Sequence, residues 1–295
     1  MKNSTNTKPR SKGHQTFILR DGWLNKGLVE MSKNGNERIF NASDATDVFG
    51  VGTNMVSALK YWLQAFNVIQ DRKGGGCELS ELGKLILKND SYLEDIFTIW
   101  ILHSNIVKNY EKASLFHDYF NDDKIQTIEK EQLLTVFRRK WIDYSIPESS
   151  IKSDIDVLFN TYCKEKINDD PEDKIVSPLV ELSLIKKNGN EYVKVQPDLR
   201  LIPDEVVLYE LSNLFKMQNN GVLKQGNSIS IERTASGDYS LGCIYNLSKI
   251  ATNQMLNRLE NLKYIRVDRT AGLDMIYDER IPEPLDIIRE YYAQR

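Results

Sequence analysis

The chemistry this chain offers most clearly is hydrogen-bond donation from one side of a helix. Between Val51 and Leu87, the apolar residues Met55, Leu59, Trp62, Leu63 and Phe66 recur at helical spacing. Ser57, Lys60, Tyr61 and Gln64 fall on the opposite face. Hydroxyls, an ammonium group and an amide on one face suit phosphate oxygens and base edges. Thr53 and Asn54 open the same segment, and Arg72 and Lys73 follow in the glycine-rich run Asp71-Arg72-Lys73-Gly74-Gly75-Gly76. Upstream, residues 13–28 interleave His14, Arg20 and Lys26 with Phe17, Trp23 and Leu24. Two readings stand for that segment: a basic arm along a phosphate backbone, or aromatics packing it down with their charges in solvent. The expected nucleic-acid contacts are Arg20, Lys26, Thr53, Asn54, Ser57, Lys60, Tyr61, Arg72 and Lys73.

Patterns for bond-breaking chemistry are absent. The triple glycine lacks the lysine and helix of a phosphate-binding P-loop, and there is no GxGxxG, GxSxG or HExxH. Cys77, Cys163 and Cys243 are too far apart for a zinc pair and odd in number for a disulfide framework. Pro203-Asp204-Glu205 and Pro197-Asp198 are not followed by the acid-x-lysine of a metal-dependent nuclease and read as helix starts. His103 and His117 lie in a mainly apolar helical segment, which reads as buried, hydrogen-bonded histidines rather than ligands.

The elements that must carry the donor face follow from the punctuation around it. Ser43–Phe49 reads as a short capped helix, Gly50-Val51-Gly52 as a turn, and Val68–Ser80 as a hairpin across the glycines. Helix, turn, helix and basic hairpin is the order of a winged helix-turn-helix, whose second helix enters the major groove. The same order serves protein–protein contacts in other settings.

It returns twice, less clearly. A helix from Ser145 to Tyr162, with Ser145 as cap and Pro147 at its first turn, precedes a hairpin around Asn188-Gly189. Helices over 203–216 and 247–262 precede a hairpin across Arg269–Gly272, with Thr252, Asn253, Asn257 and Arg258 outward. The expected fold class is therefore mainly α (α+β), with tandem winged helix-turn-helix domains joined by a helical segment. The expected divisions are a disordered basic tail over 1–12, winged domains over 13–90, 145–200 and 201–295, and a helical connector over 91–144. The cluster Arg138-Arg139-Lys140 reads as a solvated face.

The net charge of −3 over 295 residues excludes a uniformly basic protein, but not local phosphate contacts. No apolar run is long enough to cross a bilayer, and the N-terminus lacks a secretory apolar core, so the expected location is cytoplasmic.

Several stretches resemble a bacterial domain-of-unknown-function family associated with DNA phosphorothioation and phage-defence islands, itself similar to SspB of the SspABCD system. They are Gly13-His14-Gln15-Thr16-Phe17 with Arg20, Trp23-Leu24 and Lys26, and Val51-Gly52-Thr53-Asn54-Met55 with Tyr61-Trp62 and Ala65-Phe66. Ser177–Leu182 and Thr270–Leu273 add to them. Thr53 departs from the basic residue usual in that family's pattern. The resemblance implies a protein that binds double-stranded DNA and nicks one strand with a divalent metal such as Mg2+, to permit sulfur insertion. It also implies partners: a cysteine desulfurase, an ATPase and a PAPS-reductase-like protein. It places no catalytic or metal residue on this chain. From the residues alone, the alternative is a non-enzymatic DNA-binding regulator or scaffold, acting as a monomer or a homodimer.

Overall fold

The computed structural model describes residues 7–33, 37–163, 176–272 and 274–295. Among the described residues the chain is mainly helical, with three small antiparallel sheets, as the α+β expectation has it. Its first part runs through α1 (Trp23–Ser32), α2 (Ala45–Phe49), α3 (Thr53–Ala65), the strands β1 (Ile69–Asp71) and β2 (Cys77–Leu79), and α4 (Glu81–Asn89). Gly74, Gly75 and Gly76 all have positive φ, which is why glycine occupies the β1–β2 loop. The Cys77 N–H donates to the Glu37 carbonyl at 2.7 Å, so the backbone before α2 adds one rung to this hairpin.

The next helices are α5 (Ile96–Lys108) and α6 (Tyr110–Phe120). Every residue from Phe97 to Val107 is buried. The expected connector is thus the hub of the molecule. Trp100 Nε1 donates to the Leu201 carbonyl, Thr98 meets the Tyr292 hydroxyl, and Ser104 donates to the fully buried Glu210. An α-helix apolar on all sides has to be surrounded by protein.

After α6 come β3 (Thr127–Glu129), α7 (Lys130–Lys140) and α8 (Glu148–Tyr162), then β4 (Ile185–Asn188) and β5 (Glu191–Lys194). β3 pairs with β5, giving the sheet order β3-β5-β4. A strand from within the expected connector therefore completes the second hairpin, and a boundary at 145 would cut through this sheet. Ser145 makes no side-chain cap; it takes a left-handed conformation, and Pro147 stands immediately before α8.

The last part repeats this order with α9 (Asp204–Gln218), β6 (Ser228–Ser230), α10 (Ile231–Ala235), α11 (Leu241–Tyr245) and α12 (Lys249–Asn261). It ends with β7 (Ile265–Asp268), β8 (Met275–Asp278) and α13 (Pro284–Ala293), in the sheet order β6-β8-β7. α13 packs on α9 and reaches back to α4, closing the chain on its first part.

Residues 7–12 of the expected tail are held in place. Pro9 is buried, the Arg10 N–H donates to Ser114 Oγ, and the Lys12 N–H donates to Asp154 Oδ1 at 2.9 Å. Residues 1–6 and 164–175, the latter including the acidic run Asp169-Asp170-Pro171-Glu172-Asp173 that reads in the sequence as a solvated connection, lie outside the described residues. No described helix is long and apolar enough to cross a membrane.

Candidate nucleic-acid interface

α3 presents its donor face because its other side is consumed by the core. Val56, Leu59, Trp62, Leu63 and Phe66 are buried, and Trp62 Nε1 donates to the Phe17 carbonyl at 3.0 Å. Thr53, Asn54 and Ser57 are exposed, and Lys60 and Gln64 half-exposed. α3 starts after Gly52 with no side-chain cap and no acidic residue in its first turn. Its leading N–H groups and their partial positive charge therefore stay open to an anion. Lys26 Nζ donates to the Phe49 carbonyl at 2.7 Å, which puts its charge at the turn leading into α3.

The far end of the face runs into the hairpin. Gln64 Nε2 donates to Asp71 Oδ1 at 2.7 Å, and Lys112 Nζ lies 3.0 Å from Asp71 Oδ2. The Lys112 ammonium, and more weakly the charge of Lys60, hold the Asp71 carboxyl below the usual range. Arg72 pairs with Glu37 at 2.5 Å, and Lys73 stands exposed in the loop beside it. Lys112 has no signal in the sequence near α3; only folding brings it across 41 residues.

Two expected contacts are elsewhere. Tyr61 is buried, edge-on to the His14 ring with centroids 5.5 Å apart and against Gly13. It fails as an outward contact because the 13–17 segment lies on that side of α3. Arg20 lies over the rings of Phe17 and Trp23 at 5.5 and 5.4 Å and lines a cleft of about 640 Å³ with Tyr92 and Glu181. No α3 residue lines that cleft.

The arrangement around His14 has the residue types of a catalytic triad but not its order. Ser11 Oγ donates to Asp154 Oδ2, while His14 Nε2 lies 2.9 Å from Asp154 Oδ1 and Nδ1 accepts from the Thr16 N–H. The hydroxyl meets the carboxylate rather than the imidazole, and His14 is 2% exposed. This is a tie between the N-terminal segment and α8. His103 and His117 are hydrogen-bonded as expected, His103 fully buried.

The corresponding face of α8 is neutralised by ion pairs within it and with α7: Lys152 contacts Glu148 and, on α7, Glu131, and Asp156 pairs with Lys130 of α7. Arg138 pairs with Glu148 and Lys140 with Asp118. On α12, Asn253 and Asn257 reach the surface beside Arg269, as expected. Thr252 and Arg258 do not join them. Thr252 is fully buried, and Arg258 donates to the carbonyls of Leu199 and Ile202 while pairing with Asp204 at 2.5 Å. Among the described residues no three His, Cys, Asp or Glu side chains converge to hold a metal ion.

A protein-family profile described as "Protein of unknown function (DUF4007)" matches residues 12–292. A magnesium ion-bound SspB crystal structure superposes with a TM-score of 0.83 at 22% identity, covering 96% of this chain and 88% of that one. A second SspB crystal structure gives 0.84 at 21% identity with the same coverage. No curated protein matches the sequence. At this identity the likeness speaks for the fold.

Proposed function

The chain belongs to the DUF4007 family, and from that membership we propose that it is the DNA-binding subunit of a bacterial DNA phosphorothioate-modification and anti-phage system. The observation that carries the reading is the α3 face. Thr53, Asn54, Ser57 and Lys60 stand in line, with Lys26 at the leading turn and Lys73 in the hairpin loop. In this reading α2, α3 and the β1–β2 hairpin form a winged helix-turn-helix, and the two later repeats are its relatives. The open α3 N-terminus and Lys26 take a phosphate, Asn54 and Ser57 face base edges, and Lys60 takes a second phosphate.

One-strand nicking with Mg2+ is the further activity the family resemblance implies, and the SspB crystal bound to magnesium supports it. No residue is assigned to it, since the described side chains converge on no metal site. The cysteine desulfurase, ATPase and PAPS-reductase-like partners belong to the same proposal.

A second reading, a non-enzymatic DNA-binding scaffold or regulator, is favoured by the α8 face. A helix whose lysine and aspartate are already paired, within itself and with α7, suits a structural or protein-facing role.

Supercoiled plasmid incubated with the protein, with and without magnesium, beside a gel shift on the same DNA, separates these. Metal-dependent conversion to open circle together with a shift supports the nickase. A shift alone favours the scaffold. The absence of both a shift and nicking overturns DNA binding.

A further inference from the structure

We propose that the outer face of α12, together with Arg269, reads base edges and sets the DNA sequence on which this protein settles. The inference rests on the DNA-binding reading above and gives sequence choice to a different helix from the one that supplies affinity.

α12 holds in the last repeat the position that α3 holds in the first. It follows a turn and precedes an antiparallel hairpin. Its buried side is taken by Ala251, Thr252, Met255, Leu256 and Leu259. The other side carries Ile250, Asn253, Gln254 and Asn257, at i, i+3, i+4 and i+7 on one face. Ile250 is 74% exposed, at a position where solvent gains nothing from an isoleucine. Asn253 spends its own amide on the Lys249 carbonyl and on Arg269. Gln254 and Asn257 are therefore the amides that match the paired donor and acceptor of adenine in the major groove, and the Ile250 alkyl group matches the thymine methyl.

Arg269 gives the stronger indication. It donates through Nη2 to Asn253 Oδ1 at 3.2 Å and to Asn257 Oδ1 at 2.9 Å. Arg72, Arg138, Arg200 and Arg289 each face a carboxylate, which cancels their charge. Arg269 is held by neutral amide oxygens instead. Its charge is intact and its planar fork already lies over the helix, the form in which arginine pairs with guanine O6 and N7. A cleft of about 700 Å³ opens between α12, the start of α10 and Arg269.

The cleft is close to neutral overall, since Glu232 and Asp274 stand with Lys249 and Arg269 in its lining. Lys249 pairs with Glu232 at 2.7 Å, both exposed, so the pair is weak and exchangeable. Such a surface adds little indiscriminate phosphate attraction, while Glu232 can accept from the cytosine amino group. The α3 face then supplies attraction and the α12 face discrimination.

The test selects bound duplexes from a random library with the full chain, then measures affinity for the enriched and a scrambled duplex across salt concentrations. The wild type is expected to prefer the enriched duplex at least tenfold. R269A and N257A should each lower that preference by about 5- to 100-fold at one base position, leaving affinity for scrambled DNA within about twofold and the salt dependence unchanged. A preference that survives in both variants overturns the inference and leaves DNA binding standing. So does a wild type that holds every duplex equally. A wild type that retains no duplex overturns both readings.

Discussion

Neighbours on one helix can have opposite jobs, as Lys60 and Tyr61 do. Periodicity puts them on the same polar face, yet Lys60 is half-exposed and Tyr61 is buried against Gly13 and His14. Replacing Lys60 with alanine removes one cation from the face proposed for DNA. Affinity for duplex DNA should fall about three- to tenfold near physiological salt, and the slope of log affinity against log salt should become shallower by about one. The urea midpoint should not move. Tyr61→Ala reverses the pattern: a buried ring is lost at a cost of about 3 kcal/mol, visible in the urea midpoint, and binding weakens only as the folded fraction falls. Affinity lost in Tyr61→Ala while fully folded would return Tyr61 to the interface. Its burial was not legible, because the segment that covers it is set by the distant tie of Ser11, Lys12 and His14 to Asp154.

The helices α3, α8, α9 and α12 are legible as elements because each repeats its apolar stripe several times, whereas the ten-residue α1, inside the segment that reads as a basic or aromatic arm, is not. Nor are the strands β3 and β6. Thr127-Ile128-Glu129 and Ser228-Ile229-Ser230 are too short for alternation to show. They exist because β5 and β8 each offer them a free edge. The same tertiary control decides Gly83 in α4. Helix propensity alone favours alanine there by about 1 kcal/mol. The structure opposes it, since an added Cβ would lie 2.0 Å from the Val68 carbonyl oxygen, a backbone atom that cannot swing away. Overpacking of this kind costs about 1–3 kcal/mol, and the Val68 carbonyl also accepts the Ser80 N–H ahead of α4. Gly83→Ala should therefore lower the thermal midpoint by several degrees in a calorimetric scan. An unchanged or raised midpoint would mean that α4 can move off Val68.

At the scale of the whole molecule the sequence reads as modules on a linker, and the fold turns this inside out: α5 is the linker and the centre. The link is chemical at His103, which joins α5 to α8 through the Tyr162 hydroxyl and to α11 through the Ile244 carbonyl, both at 2.7 Å. A carbonyl only accepts, so Nε2 carries the proton, and Nδ1 must accept from Tyr162. A second proton would force the buried Tyr162 hydroxyl to turn from donor to acceptor. Burial, reinforced by Lys108 and opposed by the Ile244 bond, pushes the His103 pKa down to about 3 from the ordinary 6.5. Between those values the unfolded chain holds one more proton here than the folded chain, so stability is full above about 6.5 and falls as the pH is lowered. The carboxylates of Asp118 and Asp198, held below their usual range, add losses further down, and a variant must isolate the histidine. His103→Gln keeps a donor and an acceptor and cannot charge. It should be less stable than wild type at pH 7, with the gap narrowing by about 2–3 kcal/mol between pH 7 and 4.5 in urea titrations. A gap that stays constant would mean that His103 takes its proton inside the fold, and that α5, α8 and α11 separate there before the molecule unfolds.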